Sequence, residues 1–120
     1  MLVIEKKYLV LFYLALKATD GVLSLKEART RDLMLKPLFE VTKTFEEDRN
    51  KIYAKYGELK DDKYEFQPET TEDVVKETNE LLVETVELPT VPGIKDILER
   101  TEYKPKEGEA ALIDEILAKL

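Results

Sequence analysis

Between Gly21 and Gly57 the chain has no glycine and a single proline, and apolar residues recur at helical spacing almost to its end. A run of that kind can only be a long helix or two helices end to end. Its start is marked by Ser24-Leu25-Lys26-Glu27, the spacing of a capping box, in which the Ser24 hydroxyl accepts from an early helical N–H and Glu27 accepts from the Ser24 N–H. Two apolar stripes run along it: Leu25, Ala28, Leu35, Phe39 and Thr42 form one, and Met34, Leu38, Val41, Phe45, Ile52 and Tyr56 form a second, shifted one. Pro37 stands where they overlap. Proline lacks the N–H of the helical ladder and crowds the preceding turn, so the run is either kinked there or divided in two. The heptad that starts at Leu38, Val41 and Phe45 continues through Asp48 and Lys55, which argues against a coiled-coil seam and for a globular packing face.

The elements on either side are shorter. Val3-Ile4 is a strand or a lead-in, and Glu5 to Ala18 reads as a helix apolar nearly all round, through Leu9, Val10, Leu11, Phe12, Tyr13, Leu14 and Leu16. Such a helix needs neighbours on most sides. After Gly57 the period changes to alternation, and Asp61-Asp62 sits between two short runs as the turn of a hairpin, with Tyr64 and Phe66 on one face. A helix follows over Glu72 to Leu82, capped by Thr70 or Thr71, and then a strand-like run ending at Leu88, placed as a third strand beside the hairpin. Pro89 and Pro92-Gly93 precede a short helix from Ile94 to Glu99, and Lys104 to Gly108 is the linker to a last amphipathic helix. The fold class expected is therefore α+β and predominantly helical, with a long or Pro37-kinked helix, a small antiparallel hairpin or three-stranded sheet, and terminal helices. Residues 1–104 form one small domain, and residues 105–120 dock as a helix on that core or on a partner.

Composition removes whole classes of chemistry. With neither Cys nor His among the 120 residues, there is no disulfide, thiolate nucleophile, zinc finger or Ser-His-Asp arrangement to assemble. Four scattered glycines provide neither a P-loop nor a dinucleotide fingerprint. No cofactor is expected, and no catalytic or metal-binding residue is nominated. The run Tyr8 to Leu16, behind Lys6 and Lys7, has the outline of a signal peptide but is about half the roughly 20 residues that span a bilayer. Removing it would strip a small chain of much of its apolar content, so it is read as part of the fold, without a membrane partner.

Three surfaces are worth weighing for function. The two terminal helices, through Phe12, Tyr13 and Leu16 and through Ile113, Ile116 and Leu117, offer apolar anchors of the type that dominate binding energy, if they do not simply complete the core. Arg29, Arg31, Lys36, Lys43, Arg49, Lys51 and Lys55 put cations along the long helix, where a stripe of them would touch phosphates. Acids are interleaved with them, and the whole chain carries a net charge of −7, which disfavours nucleic acid. That charge is divided unequally, +3 over Met1 to Tyr56 and −10 over Gly57 to Leu120, so the two parts attract one another within a chain or between subunits. Glu69, Glu72, Asp73 and Glu77 gather carboxylates near one helix start, as a divalent-ion or two-carboxylate hydrolase site would, and as a solvated helix end in an acidic chain also would.

The order of elements also resembles a group of short proteins of tailed bacteriophages that have no assigned function. The likeness is carried by the Leu- and Tyr-rich helix, the helix start near Ser24, and the charged run Glu46-Glu47-Asp48-Arg49-Asn50-Lys51-Ile52-Tyr53-Ala54-Lys55-Tyr56-Gly57. Lys63-Tyr64-Glu65-Phe66, Asn79-Glu80-Leu81-Leu82 and Val86-Glu87-Leu88 continue it, so that it spans about Leu16 to Leu88. The resemblance implies a viral setting, in the host cell cytoplasm or in association with the virion: a minor structural or assembly factor, or a small early protein that binds a host component. It implies no active-site residues. The function expected is a non-enzymatic protein-interaction or assembly role with self-association. Its rivals are a nucleic-acid-associated or host-directed regulatory or inhibitory protein, and a carboxylate-dependent enzyme.

Overall fold

A computed structural model describes all residues from Met1 to Leu120. In chain order the elements are β1 (Leu2–Glu5), a 3₁₀ turn (Lys6–Tyr8), α1 (Leu9–Lys17), α2 (Leu25–Tyr56), β2 (Gly57–Lys60), β3 (Lys63–Phe66), α3 (Pro68–Leu82), β4 (Thr85–Leu88), α4 (Ile94–Glu99) and α5 (Glu109–Lys119). The fold is α+β and predominantly helical.

The spine is α2, one unbroken helix of 32 residues. At about 1.5 Å per residue it is roughly 48 Å long, and it accounts for the 51 Å long axis of the molecule. Its capping box is complete, with Glu27 N–H donating to Ser24 Oγ at 3.2 Å and Ser24 N–H to Glu27 Oε1 at 3.1 Å. Pro37 does not divide it. The carbonyl that loses its donor to Pro37 is that of Leu33, a residue 66% exposed, so the gap in the ladder falls on a side of α2 that water can reach. Met34, Leu38, Thr42 and Phe45 form the buried stripe of α2.

Most of the rest packs on that stripe. α1 presents Leu9, Leu11, Phe12, Ala15 and Leu16 to the interior, and these join Met34, Leu38 and Phe45 of α2, Ile97 and Leu98 of α4 and Ile113 and Ile116 of α5 in one buried cluster. Burying each large aliphatic or aromatic side chain contributes about 1.5–3 kcal/mol. α5 is therefore part of the core. Its docking is reinforced where the Tyr8 hydroxyl donates to Glu115 at 2.7 Å and Lys119 Nζ lies 5.5 Å from the Tyr8 ring centre.

The strands make two separate antiparallel pairs rather than a three-stranded sheet. β4 pairs with β1, in the register Leu2↔Leu88 and Ile4↔Val86, which turns Leu2, Ile4 and Leu88 inward. The hairpin β2–β3 stands apart, Gly57 opposite Phe66. Its turn residues Asp61 and Asp62 both have positive φ, 49° and 65°, the backbone of a tight two-residue hairpin turn that Asp tolerates through its short polar side chain. α3 begins earlier than the Glu72 start expected, because Pro68 occupies the first helical turn and needs no N–H partner. Thr70 and Thr71 are not its caps; both hydroxyls donate back to the Gln67 carbonyl, at 3.0 and 3.1 Å.

Two features of this arrangement are measurable. Glycine is required at Gly57, where a Cβ would stand 2.6 Å from Phe66 Cε1 and 2.8 Å from the Glu65 carbonyl oxygen. Gly57→Ala is expected to destabilise the protein by about 1–3 kcal/mol in urea denaturation. At the other end of α2, Arg100 donates to Glu27, and with the Ser24 N–H it holds the Glu27 carboxyl at about 2, below its ordinary 4.5. A carboxyl depressed by folding adds stability that is complete above its unfolded value and lost as pH falls through the folded one. Arg100→Ala should thus lower the melting temperature at neutral pH and shrink the melting-temperature drop between about pH 4.5 and 2, as followed by circular dichroism.

Candidate protein-interaction surface

The six apolar side chains nominated at the termini divide into two sets. Phe12, Leu16, Ile113 and Ile116 are buried within the monomer, whereas Tyr13 and Leu117 are only partly buried. As candidates for a partner contact the four buried ones are corrected: of the two roles weighed for them, they take the place in the core. They are covered by the chain itself, because α1 has α2 along one side and α4 and α5 along another.

The outward side of α1 is what stays open. Val10 and Tyr13 are part-buried there and Leu14 is 42% exposed. Tyr13 meets Phe39 of α2, their ring centres 5.8 Å apart and inclined at 46°, and Phe39 itself is 49% exposed. Tyr13, Leu35 and Phe39 line a shallow groove between the two helices, together with Asp32 and Lys36. Above it, Lys17 Nζ lies 5.7 Å from the Tyr13 ring centre. Leu35 and Phe39 belong to the first of the two stripes on α2, while Met34, Leu38 and Phe45 of the second enter the core. A helix with two stripes has apolar surface for two neighbours, and here one neighbour is absent along the seam.

The seven cations nominated for nucleic acid do not act as a set. Arg31 binds Asp20 and, at 3.1 Å, Asp32. Lys51 pairs with Asp48 at 3.9 Å and Lys55 with Glu77 at 2.9 Å; that partnership raises the Lys55 ammonium and lowers the Glu77 carboxyl. Arg49 lies against aromatic faces, 5.8 Å from the Phe45 ring and 5.9 Å from that of Tyr53. Arg29, Lys36 and Lys43 recur every seven residues on the outer side of α2, but Glu40 and Glu47 stand between and beyond them, one turn from Lys36 and Lys43. Exposed pairs of this type contribute no more than about 1 kcal/mol each. They dilute the positive charge that phosphates would need.

The acidic residues are equally dispersed. Glu69, Glu72 and Asp73 are exposed, and Glu77 is committed to Lys55. No three Asp or Glu side chains converge into a set that could hold a metal ion. No helix is long and apolar enough to cross a membrane. Comparisons with family models, curated proteins and solved structures find no match, so the seam has to be read from its own chemistry.

Proposed function

We propose that the protein is a non-enzymatic protein-binding module whose contact surface is the seam between α1 and α2. The observation that carries this reading is the half-exposed pair Tyr13–Phe39, flanked by Leu14 and Leu35 and left without a covering element. Aromatic side chains of this kind supply large contact area at small conformational cost and are enriched among the residues that dominate binding. Exposed single hydrophobics are ordinary on any surface; several on two adjacent helices are the pattern of a recognition site. A bacteriophage setting is supported by the likeness over Leu16 to Leu88 alone, and within it an assembly factor or a host-directed early protein both bind through surfaces of this kind.

Phe39→Glu tests the reading. Because Phe39 is half exposed, the substitution should cost less than about 1 kcal/mol of stability while removing the apolar centre of the seam. Wild-type and variant protein are used as parallel baits in host extract, and the expected result is loss in the variant of proteins retained by the wild type. Identical retention by both would remove the seam from the account.

A further inference from the structure

The seam is apolar in the middle and basic at its edge. Lys17, Lys36 and Lys43 surround Tyr13, Leu35 and Phe39: Lys17 over the Tyr13 ring, Lys36 in the groove wall, and Lys43 one turn beyond Phe39 on the same side of α2. None of these three lysines has an ion-pair partner in the fold. Asp32 is the one acid that lines the groove, and Arg31 engages it at 3.1 Å. Glu40 lies about 100° round α2 from Phe39, one turn from Lys36 on its solvent side, Glu47 is likewise one turn from Lys43, and Glu46 lies past Lys43, two turns from Phe39. In a chain of net charge −7, three lysines without ion-pair partners thus stand at the edge of one apolar groove.

We propose that this seam takes an acidic amphipathic helix, its apolar stripe seated on Tyr13, Leu35 and Phe39 and its flanking carboxylates facing Lys17, Lys36 and Lys43. The inference rests on the protein-binding reading above and adds to it the chemistry of the partner. Two adjacent helices leave a linear furrow between them, and a third helix fills a furrow of that shape by the same ridge-and-groove packing that joins helices within a protein. Charge decides against the simplest other occupant. A second copy related by two-fold symmetry would bring the same patch to itself and set lysines against lysines, which opposes association. Carboxylates along the edges of an incoming helix meet the lysines instead, and they fix its position across the furrow.

The test uses the full chain and two labelled synthetic peptides of about four helical turns, with the same Leu and Phe stripe but flanked by Glu in one and by Lys in the other. In fluorescence anisotropy at low salt the Glu peptide should bind at least about tenfold more tightly, and that advantage should shrink as salt rises to about 0.5 M. The double variant Lys36→Glu/Lys43→Glu, at exposed helical positions where Glu is as good a helix former as Lys, should reverse the preference with an unchanged circular dichroism spectrum. Equal binding of both peptides, lost in Phe39→Glu, would overturn the acidic partner and leave the protein-binding seam standing. Preference for the Lys peptide would overturn the acidic partner as well. Binding of neither peptide would overturn both.

Discussion

Phe12 and Leu16 of α1 and Met34 and Leu38 of α2 are fully buried in one cluster, and the remaining elements are arranged around that contact. It explains why so small a chain can carry a helix as long as α2. An isolated helix gains little from propensity alone and owes its persistence to packing. Here α2 is covered by α4 near its start, by α1 along its middle and by α3 toward its end. The same contact explains the apolar character of α1. Its inner side meets α2 and α5, the β1–β4 pair lies before its first turn, and of its apolar side chains only Val10, Tyr13 and Leu14 are left toward solvent.

Charge is secondary to this core but not idle. The ion pairs that tie separate elements join positions far apart in the chain: Glu27 at the start of α2 to Arg100 after α4, Lys6 to Glu84 at 2.6 Å beside the β1–β4 pair, and Lys55 to Glu77 across α2 and α3. Each joins a cation of the positive half to an acid of the negative half, or the reverse. Through Lys6–Glu84 and Lys55–Glu77 the lopsided charge of the sequence is partly consumed inside one molecule. Among the cations left unpaired beside apolar surface, Lys17, Lys36 and Lys43 gather at the α1–α2 seam, and that coincidence gives the seam a chemical identity beyond being oily.

Local signals in the sequence were sufficient where structure is made by neighbours in the chain. The Ser24–Glu27 box opens α2, Asp61-Asp62 turns the hairpin, and α4 runs over Ile94–Glu99 as its flanking turn residues indicate. Strand pairing was beyond reach for Val86 and Leu88, because their partners Ile4 and Leu2 lie at the opposite end of the chain and alternation does not say which edge a strand joins. Periodicity also cannot say whether a chain covers its own apolar face. Phe12 and Ile116 read as well for an interface as for a core, and the fold placed them in the core. Phe39 was visible in the first stripe of α2 but was not singled out. The signal that would have found it was the presence of two stripes on a helix with only one side to bury.

α1, the middle of α2 and α5 form one cooperative core, and recognition is left to the outer seam. Native-state hydrogen exchange addresses it directly, because amides that open only with global unfolding mark such a unit. Amides of Phe12–Leu16, Leu38–Phe45 and Ile113–Ile116 are expected to exchange at a common, slowest rate and to slow together when the protein is stabilised. Fast, independent exchange in Ile113–Ile116 would mean that α5 is a detachable arm and its apolar side a surface for a partner, contradicting the account.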